Sequence, residues 1–235
     1  MSKWHVNIIT LFPDMFPANL GMSISGKALE RGDWSYRTIN PRDYATDKHK
    51  TVDDTPFGGG AGMVLRADIL EKAFLDIENP GRKIYLSPRG QLLTHKTSKN
   101  LCEEKNITLL CGRYEGIDQR FLDAHGFEEM SIGDYVLSGG EPAAMILMDA
   151  CIRLLPGVMG NAETAGDESH SNGLLEYPHY TRPAKWTDNN GNKHVVPDVL
   201  REGHHKKINE WRQNQSEIIT KNNRPDLWMK HKSNK

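Results

Sequence analysis

The sequence predicts an α/β fold built around a mainly parallel sheet, with a small helical part at the C-terminal end. Three observations carry this prediction. Over the first two thirds of the 235 residues, short β-branched runs alternate with longer amphipathic ones. After Leu155 this periodicity stops. Beyond Pro197 a helical spacing returns in a basic context.

Taken in order, strands are predicted at Trp4 to Phe12, Trp34 to Ile39, Lys83 to Ser87, Ile107 to Cys111 and Phe127 to Ser131. Each is rich in Val, Ile, Leu or aromatic residues, as strands buried on both faces must be. Helices are predicted at Arg66 to Ile77, Thr94 to Lys105 and Ile117 to His125, where apolar residues recur at three- and four-residue spacing. Pro142 to Leu155 is the most hydrophobic helix, with Pro in the first turn. It falls short of the ~18 apolar residues of a membrane span and reads as a core helix. Residues 156–192 are dense in Pro, Gly, Asn, Asp and Ser and read as a structureless loop. Pro197 to Thr220 and Pro225 to Lys230 read as the closing helices. The expected organisation is an α/β domain over 1–160, a flexible linker over 161–175 and a small helical domain over 176–235.

Composition excludes several classes. With 37% hydrophobic and 26% charged residues the chain is neither disordered, collagenous nor membrane-embedded. Met1 to Leu11 lacks the pattern of a secretory signal, so a cytoplasmic place and no membrane partner are expected. Three cysteines without a CxxC pair exclude a disulfide framework and a zinc site. The net charge of −1 conceals a division: residues 121–176 hold ten acids against one base, Arg153, whereas 193–235 hold ten Lys and Arg against five acids. The basic tail suits RNA phosphates or, equally, a solvated helix face.

Three glycine-rich stretches are candidates for chemistry. Pro56 to Met63 has four glycines in five residues, but no following Lys-Ser/Thr makes it a phosphate loop. Leu110 to Asp118, with Gly112, Arg113, Tyr114, Glu115 and Gly116, sits where a strand gives way to a helix, and Tyr85 to Gly90 occupies a second strand end. Ligands of open α/β sheets bind at such places. Ser131 to Pro142 places glycines around Ile132, Val136 and Leu137, which suits a flat ring better than a phosphate. On these residues alone two readings stay open. One is an enzyme with a nucleotide-like cofactor, and the other a non-catalytic RNA-binding module with a basic helical tail.

The strings PFGGGAGM, YLSPRG, LLCGRYEGID, SIGDYVLSGGEPAAMILMDACIRLLPG and YPHYTRP, in this order and spacing, resemble the bacterial tRNA (guanine-N1)-methyltransferase family, TrmD, of the SPOUT class. The resemblance spans nearly the whole chain. It implies a deep trefoil knot, S-adenosyl-L-methionine as methyl donor, and an obligate homodimer with active sites at the interface. It further implies methylation of N1 of guanosine 37 of tRNA beside the anticodon, with magnesium for the methyl-transfer step, although no acidic cluster announces a metal site and no metal ligand is assigned.

Residue by residue, the resemblance places the cofactor against Tyr85, Leu86, Ser87 and Pro88, then Gly112, Tyr114, Glu115 and Gly116, then Ile132, Gly133, Asp134, Tyr135, Val136 and Leu137, and finally Gly139 and Gly140. Arg153 takes the position of the family's catalytic arginine. The general base falls in the linker, where Gly166-Asp167-Glu168-Ser169-His170 departs from the family's acid followed by Ser-Phe. Glu168 stands at the usual aspartate's place, with Asp167 as its substitute and His170 open as a third candidate. The tRNA surface would combine His49 to Gly62, Tyr177 to Lys185 and the C-terminal helices, with Lys206, Lys207, Arg212, Lys221 and Arg224 meeting phosphates and aromatics such as Tyr180 and Trp186 stacking on splayed bases.

Overall fold

The computed structural model describes residues 4–159, 169–170 and 173–233. Chain contacts divide it into two compact units, Met1–Gly160 and Asn161–Lys235.

The first unit is a five-stranded sheet of β1 (Trp4–Ile9), β2 (Trp34–Ile39), β5 (Arg82–Leu92), β6 (Asn106–Cys111) and β7 (Glu128–Ser131), in the order β2-β1-β6-β5-β7 with every neighbouring pair parallel. A short antiparallel pair, β3 (Asp53–Asp54) and β4 (Val64–Leu65), lies outside it. Between the strands come α1 (Ser23–Glu30), α2 (Ala67–Leu75), α3 (His95–Glu103), α4 (Gln119–His125) and α5 (Gly140–Ile152).

Because side chains alternate along a strand, the sheet feeds two cores. Trp4, Val6 and Ile8 of β1 join Ile107 and Leu109 of β6, Leu101 of α3 and Leu147 and Met148 of α5. On the other face Ile9 and Leu110 meet Ile69 and Leu70 of α2 and Phe121 and Leu122 of α4. Helix starts follow local chemistry. Thr94 caps α3 by accepting from Thr97 N, and Asp118 caps α4 by accepting from Arg120 N. Gly126, at φ +64°, closes α4 in the left-handed conformation.

Three sequence expectations are corrected. The strand expected to end at Ser87 runs on to Leu92, with its register slipping between Leu86 and Gln91 opposite Met130. Pro88 cannot donate to a ladder, so a pairing irregularity is where a strand between two neighbours tolerates it. The stretch 156–192 is not structureless. Within the second unit, β8 (Lys185–Thr187) and β9 (Lys193–Val195) form an antiparallel ribbon. Finally, the helix expected from Pro197 starts later: a single 3-10 turn covers Asp198–Leu200 and α6 runs from His205 to Asn223, followed by α7 (Pro225–Ser233). In this unit Thr220 Oγ1 accepts from Leu175 N at 2.8 Å, and Arg212 lies over the Tyr177 ring at 4.9 Å, fastening the segment before the ribbon to α6.

Among the described residues no helix is long and apolar enough to cross a membrane.

Candidate active site

Two of the three glycine-rich stretches, those at the carboxyl ends of β6 and β7, wall one cavity of about 260 Å³ together with Tyr85 to Pro88 of β5, whereas Pro56 to Met63 does not line it. Fifteen of the sixteen residues that the resemblance assigns to a cofactor line it: Tyr85 to Pro88, Gly112, Tyr114 to Gly116, Ile132 and Gly133, Tyr135 to Leu137, Gly139 and Gly140. Asp134 lies exposed in the same turn and does not line it.

Glycine sets how closely these loops approach. A Cβ on Gly112 would stand 2.9 Å from the Tyr85 ring, and one on Gly140 would stand 2.7 Å from Cys111 Cα. Gly140 N instead donates to Gly112 O at 2.9 Å, joining two loops directly through backbone. Tyr114 adopts φ +57°, a conformation that costs energy outside glycine and here turns the loop at the cavity wall. Burial, and secondarily the charge of Glu129, hold the Tyr85 hydroxyl above its ordinary pKa, so it stays protonated. At the rim Val136 is 84% exposed, with Tyr135 and Leu137 beside it, an apolar edge waiting for a partner.

At the cavity wall Arg113 is paired with an acid that the sequence reading did not single out. Glu141, in the first turn of α5, is 0% exposed; its Oε1 accepts from Thr10 Oγ1 at 2.7 Å and its Oε2 faces Arg113 at 2.8 Å. The Arg113 guanidinium also donates to Ser138 O at 3.1 Å and lies over the Phe12 ring at 4.3 Å. One ion pair therefore ties the segment after β1, the loop after β6 and the loop before α5 together. Gly139 leaves room for it, since a Cβ there would collide with the guanidinium. Met130, Ser131, Ser138 and Ala143 also line the cavity, although the sequence reading assigned them no contact with a cofactor. Arg113 was visible inside the LLCGRYEGID string, but nothing in the sequence marks Glu141 as buried.

Arg153 is the first residue after α5; its N–H donates to Asp149 O at 3.3 Å. It lines a neighbouring cavity of about 650 Å³ with His95, Met145, Ile146 and Asp149, and Ile132 borders both cavities. Asp167 and Glu168 lie outside the described residues. His170 is described, at φ +74°, with its N–H donating to Leu174 O at 2.9 Å. The Gly58 to Gly62 loop abuts the cavity lip, where Glu115 N donates to Met63 O at 2.9 Å and the Glu115 side chain fills the space at Gly62. Among the described residues no group of three or more His, Cys, Asp or Glu is arranged to hold a metal ion.

The arrangement is a concave, glycine-walled site at strand ends with one carboxylate, Glu115, and one cation, Arg113, which is already engaged. Such a wall offers backbone groups and apolar contact to a nucleoside, not charge to a phosphate.

Comparison with known proteins gives this geometry its context. The family described as tRNA (Guanine-1)-methyltransferase TrmD matches residues 4–230. A protein named tRNA (guanine-N(1)-)-methyltransferase from Rhodospirillum rubrum is 55% identical over 95% of this chain and 92% of its own length. Proteins of the same name from Pelagibacter ubique and Mesorhizobium japonicum are 51% and 52% identical, over 98% and 96% of this chain and 100% and 96% of theirs. With the match running from the first strand to the last helix, and half of all positions shared along it, this chain belongs to the tRNA (guanine-1)-methyltransferase TrmD family.

Proposed function

We infer that the protein is a methyltransferase that moves a methyl group from S-adenosyl-L-methionine to N1 of guanosine 37 of tRNA, beside the anticodon. The observation that carries this reading is the one cavity walled jointly by Tyr85 to Pro88 and the two glycine-rich loops of a family-matched chain. The residues present fit the cofactor: Gly112 and Gly140 bring backbone close, Tyr135 to Leu137 supply apolar contact, and Glu115 is a carboxylate suited to face a cationic sulfonium. When bound, the cofactor supplies the electrophilic methyl group.

What the chain itself must do is position and move a proton. Guanine N1 is protonated at neutral pH, so a base must take that proton; Glu168 is assigned that task, with Asp167 and His170 as substitutes. Arg153 would hold guanine O6 and stabilise the charge that develops as the proton leaves. The remaining gain comes from holding the two reactants aligned.

The finer elements of the reading rest on the family resemblance. They are the trefoil knot, a cofactor-binding domain over 1–160, a linker over 161–175 and a tRNA-binding domain over 176–235. A homodimer with active sites at its interface is supported by the half-exposed Ile146 of α5 and by the cavity that Ile146 and Arg153 both line. Magnesium has no ligand set among the described residues. A tRNA substrate carries with it a cytoplasmic place.

The test is methyl transfer to unmodified tRNA bearing guanosine 37, beside the same tRNA bearing adenosine there. Label on the first alone is expected, and equal labelling of both refutes the stated specificity. A non-catalytic RNA-binding module would bind no S-adenosylmethionine in the absence of RNA.

A further inference from the structure

We propose that the β8–β9 ribbon is an RNA-contacting finger on which an unstacked base of the tRNA substrate rests against Trp186, with Lys185 and Lys193 meeting the adjoining phosphates. The proposal rests on the tRNA reading above and gives it a specific contact.

All six strand residues of the ribbon are exposed, so it has no core of its own. Two-stranded ribbons are marginal in water unless something holds them. Here the turn does. Asp188 accepts from Asn190 N at 2.9 Å, from Asn192 N at 2.9 Å, from Asn192 Nδ2 at 3.0 Å and from His194 Nε2 at 3.1 Å, while Asp188 N donates to Asn192 O at 2.9 Å. Gly191, at φ +84°, lets the chain reverse. The finger is thus stiffened from its tip.

The register pairs Trp186 directly with His194, placing both on one face. Their ring centroids are 4.6 Å apart, and the imidazole is in turn fixed by Asp188. Trp186 nevertheless remains 53% exposed, a large aromatic surface presented to solvent on a pre-ordered support. Lys185 and Lys193 occupy the reverse face at opposite corners, one on each strand, where long stems reach around the edges. The sole carboxylate between Arg182 and Val196 is Asp188, which is turned into the hairpin, so the outward charge of this finger is positive. An aromatic platform flanked by cations, with its acid directed inward, is complementary to a splayed nucleotide.

The experiment uses the full-length protein and unmodified tRNA bearing guanosine 37. Trp186→Ala should raise the tRNA Kd and KM by roughly 5- to 150-fold, the range corresponding to ~1–3 kcal/mol of base stacking. Trp186→Phe should retain most of the affinity. Lys185→Gln with Lys193→Gln should flatten the dependence of log affinity on log salt by about 1.5, the loss of two phosphate contacts. S-adenosylmethionine affinity and kcat at saturating tRNA should stay at wild-type values in all three. Wild-type tRNA affinity and salt dependence in every variant would overturn the proposal. So would a change of sedimenting size that accounts for the lost affinity, because the ribbon would then serve a contact between copies of the chain. Absence of methyl transfer by the wild-type protein, together with Trp186-dependent tRNA binding, would sink the enzymatic reading and leave the finger standing.

Discussion

Removing the Glu141 carboxylate tests whether the cavity is held together by the pair at its wall. In Glu141→Gln the amide oxygen still accepts from one neighbour, but two donors, Thr10 Oγ1 and the Arg113 guanidinium, now compete for it in a place with no solvent. Stripping one partner from a buried ion pair costs about 3–5 kcal/mol, since the other charge is left uncompensated. The lower end applies here for two reasons. Arg113 is 18% exposed and keeps Ser138 O and the Phe12 ring, and Glu141 Oε2 meets it at 2.8 Å without hydrogen-bond geometry. About 3 kcal/mol corresponds to a loss of roughly 6–12 °C in Tm at this chain length. Cofactor affinity should fall with it, because Arg113 without its buried counter-charge holds the loop at Ser138 less firmly against the loop at Gly112, leaving the Gly140 N–Gly112 O bond as the remaining tie. Thermal unfolding followed by near-UV circular dichroism reads the first effect, and equilibrium dialysis with S-adenosylmethionine reads the second. The double substitution Arg113→Met with Glu141→Leu removes both charges and should regain part of the Tm but none of the cofactor affinity. A Glu141→Gln protein melting within about 1 °C of wild type, or a double variant losing the sum of both single losses, would refute the reasoning.

Arg153→Ala should abolish turnover while leaving S-adenosylmethionine affinity nearly intact, because Arg153 lies in the neighbouring cavity and not in the glycine-walled one; equal loss of both would assign it a folding role. Single-turnover methylation by Glu168→Gln and by Asp167→Asn should show loss of the chemical step only in the first, and the opposite pattern would move the base to Asp167. The Asp188 carboxyl is lowered to about 2, chiefly by the hydrogen bonds from Asn192 and then His194. A depressed carboxyl stabilises the fold above its unfolded pKa of about 3.9, and this contribution is lost as pH falls toward the folded value. The amide resonances of Asn190 and Asn192 should therefore report opening of the ribbon between about pH 4 and pH 2, and Asp188→Asn should remove that transition.

How much of this was legible in the sequence depended on burial. Parallel strands covered on both faces announce themselves as apolar runs, and all five strands of the sheet coincide with predicted ones, because Val6, Ile8, Leu109 and Leu110 have no alternative to the interior. The ribbon gave no such signal: with every strand residue exposed it has no apolar alternation, and only Asn190-Gly191 between Trp186 and Val195 hinted at a hairpin. Helix α1 is eight residues long, with Gly26 pressed against Gly21 backbone, too short for periodicity to register. At the site, the lining was legible because glycines and a resembling family marked it, whereas Glu141 looked like any other acid in an acidic stretch.

That difference bears on how charge should be read along this chain. The stretch 121–176 is acidic on paper, yet one of its carboxylates is fully buried against Arg113, which lies outside the stretch, so its count overstates the field at the cavity. At the ribbon Asp188 is directed into the turn by its hydrogen bonds, so the side chains that point away from the turn are those of Lys185 and Lys193. In both places an acid acts as an internal fastener: the Glu141–Arg113 pair withdraws one charge of each sign and leaves the net charge as it was, whereas at the ribbon Lys185 and Lys193 outnumber an acid whose oxygens are occupied by the turn. The total of −1 therefore does not oppose an RNA partner, since a polyanion meets the local charge of the surface it approaches, basic along 193–235, and not the average over the chain.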